Sequence, residues 1–290
     1  MKNKIIHFFS ILFLVTTVIF LSNACKEIGP AIDLTGSGAA QDTTFVTTPD
    51  AAQAKVILLE EFTGVRCINC ANGHVAAASL KAANPGRVYA IALHSFNLDE
   101  PYLYSFIDLT LDKAEQIQQA YAAGTSKPSS MIDRVIFPGE SSPAYLLAKW
   151  PGYVSTRLAA TTPVNVELTN NYNNATRELE IKLKIQYTAL VTDQNSFTIY
   201  LAENNLITAQ LMPTGDVDTN YVHNDVMREI ITPNGGSSLP EAAVVGRTYL
   251  KTFKITIPED FDPSELEVIA FVHKTGASNE ILQTAVKKIL

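Results

Sequence analysis

Val56-Ile57-Leu58-Leu59-Glu60-Glu61-Phe62-Thr63-Gly64-Val65-Arg66-Cys67-Ile68-Asn69-Cys70 joins a short apolar run to a pair of cysteines, and an alanine-rich segment follows at once. The run is continuous and stops at Thr63-Gly64, which predicts a buried strand over 55–62. Cys70 to Ala83 predicts the helix after it, closed by Asn84-Pro85-Gly86. The pair therefore lies between a strand and a helix start.

Working outward, Arg87 to His94 predicts a second buried strand. Leu109 to Ala123 predicts a helix that stops at Gly124. Ser129 to Phe137, after Lys127-Pro128, predicts a third strand, and Ser142 to Leu158 a helix interrupted near Pro151-Gly152. The order β-α-β-α-β implies an α/β layer. From about Thr162 the pattern becomes strict alternation. Leu179, Ile181, Leu183, Ile185 and Tyr187 share one face, with Glu180, Lys182, Lys184 and Gln186 on the other. Val164–Leu168, Phe197–Leu201, Phe253–Ile257 and Leu266–Val272 repeat the theme, which implies an Ig-like β-sandwich. The expected division is an α/β domain over 51–160 and a β-sandwich over 161–290.

The N-terminus reads as targeting sequence. Met1-Lys2-Asn3-Lys4 is basic, Ile5 to Leu21 is almost wholly apolar, and Ser22-Asn23-Ala24 precedes Cys25. The run is also long enough for a membrane anchor. The small residues before a cysteine resemble the bacterial lipoprotein signal, which implies a signal peptide over 1–24 and a lipidated Cys25, although Leu21 lies four rather than three residues before it. Lys26-Glu27 is similar to a surface-export signal of Bacteroidetes lipoproteins, or is an ordinary charged tether. Residues 25–50 are expected to form a flexible spacer without secondary structure. Export places the body where disulfides persist. A net charge of −7 and the lack of a Lys/Arg cluster argue against nucleic acid as a partner. Three cysteines are too few for a disulfide scaffold, so folding rests on buried apolar area.

Cys67 falls at or just before the first helical turn, where unpaired N–H groups and the helix dipole favour an anion. A thiolate there titrates below the free value of about 8.5. Arg66 and Lys127 are candidate cations that add to the effect. Cys67 is the candidate nucleophile and Cys70 the resolving thiol. The same pair could instead be a structural disulfide.

A strand, a C-x-x-C opening a helix, and a later proline that starts a strand together resemble the thioredoxin fold. The resemblance implies that Pro128 is cis and lies against the sulfurs. It also implies that Glu61, six residues before Cys67, is a buried proton relay; alternation turns either Glu60 or Glu61 inward. Arg66 and Ile68-Asn69 stand where that family has tryptophan and Gly-Pro. A stabilised Cys67 thiolate is expected to make the pair more oxidising than thioredoxin, whose potential is about −270 mV. Leu58 to Gly64 with Cys67 and Cys70, plus Tyr221-Val222-His223-Asn224-Asp225, is similar to the Omp-twenty-eight-related outer-membrane lipoproteins of Bacteroidetes. That resemblance implies an outer-membrane location on the periplasmic or cell-surface face.

Other ligand sets are weaker. Cys67, Cys70 and His74 could start a soft-metal site, but no fourth ligand stands out beyond a guess at His94 or His223, and a lone helix histidine is usually solvated. Ala71 stands where covalent haem needs histidine. Asp216, Asp218 and Asn220 alternate as calcium ligands do, yet Tyr221 and Met227 replace the required glycine and glutamate. Neither a metal nor another cofactor is expected. Tyr221, His223, Asp225 and Arg228 are expected to be a hydrogen-bonded loop against the first domain. Two functions stay open. One is a tethered thiol-disulfide oxidoreductase acting on exported protein thiols or disulfides. The other is a non-catalytic surface binding or adhesion lipoprotein with a Cys67–Cys70 staple.

Overall fold

The computed structural model describes residues 42–276 and 278–290. The expected signal peptide, Cys25 and most of the spacer lie outside them. β1 (Thr43–Val46), β2 (Ile57–Thr63), α1 (Cys70–Ala83), β3 (Val88–His94), α2 (Asp112–Ala122), β4 (Ser129–Ile132), β5 (Ala144–Leu146) and α3 (Trp150–Leu158) make the first half. The second half is β6 (Val164–Asn173), β7 (Glu178–Tyr187), β8 (Asn195–Glu203), β9 (Leu206–Leu211), β10 (Val217–His223), β11 (Val226–Ile230), β12 (Ser237–Leu239), β13 (Arg247–Thr256), β14 (Leu266–Lys274) and β15 (Ile281–Lys288). The described residues are thus mostly β-sheet with few helices.

Strands from both halves share one sheet, in the order β15-β14-β8-β11-β3-β2-β4-β5, with β12 also on β8. β2 and β3 run parallel and in full register from Ile57↔Val88 to Thr63↔His94. β4 is antiparallel to β2. The junction between halves is the short parallel pairing of β11 with β3, where Ala92 N–H donates to Asp225 O at 2.7 Å. The expected boundary at 160/161 therefore runs through a sheet rather than between two. β11 can insert because β3 and β8 each offer an open edge, and pairing removes both.

A second sheet, β1-β13-β7-β6, holds the alternating strands. Leu179, Ile181, Leu183, Ile185 and Tyr187 are buried as their period requires. Gln186, expected on the wet face, is buried too. It accepts from Asp50 N–H and donates to Thr248 Oγ1, because the chain before β2 crosses over it. Residues 43–46, expected to be spacer, form β1 on the edge of β13, since Thr-Thr-Phe-Val is a good strand former.

Two expected elements are shorter than their sequence pattern. The strand from Ser129 ends at Ile132, where Asp133 and Arg134 take φ of 50° and 54° and turn the chain. The helix expected from Ser142 becomes β5, a 3₁₀ turn and then α3, which starts at Trp150 with Pro151 in its first turn.

β2 is buried along its whole length. Its inward-outward choice between Glu60 and Glu61 does not arise: both are buried, on opposite faces. Glu60 is clamped by the Arg134 guanidinium through two contacts of 2.6 Å and accepts from Tyr200 of β8 at 3.0 Å. Glu61 lies on the α1 side.

Candidate functional site around Cys67 and Cys70

The two cysteines are bonded, with S–S 2.07 Å. Cys70 opens α1, and its N–H donates to Cys67 O at 3.1 Å, so the bridge closes the turn at the helix start. Cys67 is 2% exposed and Cys70 fully buried. What covers them is local and distant at once. Arg66 N–H donates to Leu98 O, and the Arg66 side chain donates to Glu100 O and Pro101 O while lying over the Tyr102 ring. From the other half, Leu211 N–H donates to Val65 O at 2.8 Å, and Gln210 Nε2 donates to Gly64 O and Cys67 O. Arg66 is thus tied to the 98–102 loop.

Lys127 donates to Phe96 O and Asn97 O, and burial lowers its pKa to about 8 against the pull of Asp99 and Glu115. The Lys127–Pro128 bond is cis. A groove of about 570 Å³ lies beside it, lined in part by Phe96, Leu98, Gln118, Gly124 and Lys127.

Gly73, one turn after Cys70, faces both Glu61 and Pro128. A Cβ there would strike Glu61 Oε1 and Pro128 Cβ. Its missing side chain lets α1 come down onto the carboxyl. Glu61 is 2% exposed, and its Oε1 has no hydrogen-bond partner among the protein atoms. Burial, then the Asp225 carboxylate, pushes its pKa well above the ordinary value, which favours the protonated carboxyl.

The polar group late in the chain divides. Tyr221, His223 and Asp225 come to α1, whereas Arg228 turns away to Glu203 and lies over Phe261. His74, expected to be solvated, bridges instead: Nε2 meets Thr63 Oγ1 at 2.8 Å and Nδ1 meets Tyr221 OH at 2.9 Å. Asp225 pairs with Lys81. The His223 ring packs edge-on against His74 and His94, with centroids 5.8 and 5.5 Å apart. Burial holds His74 at about 4 and His223 at about 3, and drives His94 lower as well, so all three are neutral near pH 7. His223 lies far from His74 and His94 in sequence, and the pairing of β3 with β11, the strand directly after it, brings it beside them. Among the described residues no group of three or more His, Cys, Asp or Glu side chains is arranged to hold a metal ion. Asp218 Oδ1 accepts from Asn220 N–H within the exposed end of the β9–β10 hairpin.

Residues 114–289, more than half of the chain, match the family described as Outer membrane protein Omp28. The chain belongs to the Omp28 family. The matched span takes in Pro128 and the Tyr221–Asp225 segment and begins after the cysteines. Omp28 membership associates the chain with the outer membrane, and among the described residues no helix is long and apolar enough to cross a membrane. Among solved structures, HBP35 of Porphyromonas gingivalis aligns at 18% identity and a TM-score of 0.65, over 83% of this chain and 77% of its own. A protein of Agrobacterium tumefaciens aligns at 13% identity and 0.53, over 82% and 97%. At these identities the likeness is one of fold. No curated protein sequence matches the chain.

Proposed function

We propose that this Omp28 protein is a lipoprotein, tethered through Cys25, whose thioredoxin-like cysteine site exchanges disulfides with exported proteins. The carrying observation is Glu61. A buried carboxyl with a partnerless oxygen costs about 1–3 kcal/mol, and a bridge that only staples a loop needs no such group one helical turn below it.

In the bonded state the chemistry runs as follows. A substrate thiolate attacks Cys67 Sγ, a new S–S bond forms, and the Cys67–Cys70 bond breaks. Cys70 leaves with the electron pair and takes the proton of the Glu61 carboxyl. A second substrate thiolate then attacks the substrate sulfur of the mixed disulfide and displaces Cys67, so the substrate gains a disulfide, Cys67 leaves as the thiolate and Cys70 stays as the thiol. The groove beside Pro128 holds the client, and Lys127 and Arg66 fix the loops that frame it.

The burial of both sulfurs favours the second reading, a surface binding protein with an inert staple. One experiment separates them. With Cys70 replaced (Cys70→Ser), Cys67 is expected to accumulate mixed disulfides with exported proteins, absent when Cys67 is replaced as well. If nothing accumulates, and the native bridge resists a thiol reductant until the protein unfolds, the staple reading stands.

A further inference from the structure

A second opening lies between α1 and the end of β10. A cleft of about 180 Å³ is lined by Glu61, His74, Ala92, Tyr221, Val222 and Asp225, among others, and shares no lining residue with the groove at Lys127. We propose that this cleft is the proton port of the site: Glu61 exchanges its proton with solvent through Tyr221, held in place by His74, and not through the face that takes the thiol substrate. The proposal rests on the disulfide-exchange reading for its purpose, though not for its test.

Three observations carry it. Glu61 and Thr63 alternate with Phe62 on β2, so both side chains point to α1. Thr63 and Tyr221 occupy the two nitrogens of His74, which leaves the imidazole one fixed orientation and couples the hydroxyls at its two ends. When Thr63 O–H donates to Nε2, Nδ1–H donates to the Tyr221 oxygen, and the Tyr221 hydrogen is free to face the cleft. The third is the setting. Facing Glu61 across the cleft are Tyr221 of β10 and Asp225 after it; His74 and Lys81 come from α1, His94 from β3 and His223 from β10. Asp225 is paired with Lys81, and Tyr221 is the hydroxyl that is both half-exposed and on the cleft wall. After Glu61 has given its proton to Cys70, the carboxylate draws one from Tyr221 O–H, and solvent returns it to the tyrosine.

The test reads Glu61 directly. In the oxidised full-length protein, the infrared C=O band of the protonated carboxyl is assigned by its loss in Glu61→Gln, and its shift is timed after transfer to D₂O. Tyr221→Phe is expected to slow that exchange by about tenfold or more. A plug at the exposed mouth, Val222→Trp, is expected to slow it as well, and covers the case in which Tyr221→Phe misfolds. Gln119→Ala, in the other groove, leaves it unchanged. Exchange at the wild-type rate in both cleft variants, or slowing by the groove variant alone, overturns the port. Because the band needs no substrate, an inert disulfide would sink the disulfide-exchange reading while leaving this measurement intact.

Discussion

Glu61 and the histidines across from it titrate in opposite senses, and their pH windows differ. Glu61 has its folded pKa raised above the free carboxyl value, so the native state holds the extra proton. Its contribution is full below about 4.5 and is lost as pH rises through the folded value. His223, held at about 3, and His74, at about 4, are neutral when folded, so the unfolded chain binds more protons below about 6.5. Stability is therefore expected to fall as pH drops from about 6.5 toward 3, and separately to decline on the alkaline side through Glu61. Glu61→Gln removes only the second loss. Its urea midpoint should pull ahead of the parent as pH rises, by about 1–3 kcal/mol once the carboxyl would ionise. A difference that stays constant from pH 5 to about pH 9 contradicts the assignment of Glu61 as the buried, proton-holding group.

The element that matters most to the cysteines is the β9–β10 hairpin, which pairs with neither large sheet and lies over the loop before α1. Gln210 is its clasp, buried and donating to Gly64 O, Cys67 O and Leu211 O. Gln210→Ala is expected to ease local opening by about 1.4 kcal/mol, and so to speed reduction of the Cys67–Cys70 bond by a small thiol about tenfold. Global stability should change far less than that rate. A rate that tracks only the global unfolding midpoint would remove the hairpin as a cover. The clasp is invisible in the sequence, because Gln210 sits 143 residues from the carbonyl it reaches. What the sequence made legible was local. The strand–cysteine–helix order, the limits of α1 and the alternation of β7 follow from period and breakers. Tyr221 and Asp225 could be singled out, but their partners His74 and Lys81 lie on a helix 147 and 144 residues away. The expected end of the third strand failed for a related reason. Asp133 and Arg134 turn the chain to reach Lys55, Arg157 and Glu60, and no short window contains those partners.

At the scale of the molecule, the change of hydrophobic period near residue 160 marks a change of layer rather than a change of folding unit. The described residues fall in one compact unit, and β11 is the seam between β3 and β8. The buried Glu60–Arg134 pair crosses that seam to the Tyr200 hydroxyl, and Arg134 also lies over Phe271 of β14. The Asp133 carbonyl in the first half accepts from Ile281 N–H at 2.8 Å, while the Asp133 carboxylate holds Lys55 and Arg157. Splitting the chain at 160 would leave these ion pairs intact but strip away what covers them, the Tyr200 hydroxyl, the Phe271 ring and Ile281, and would open the edge of β3 that β11 occupies. A fragment spanning 51–160 is therefore expected not to fold alone, and the intact protein to unfold in one step. Trp150, fully buried in the first half, gives a local fluorescence probe, and far-ultraviolet circular dichroism follows the β-rich remainder. The two urea transitions should coincide. Separate midpoints, or a fragment that holds Trp150 in a native-like environment, would restore the boundary that the sequence period suggests and make the shared sheet an interface between two domains.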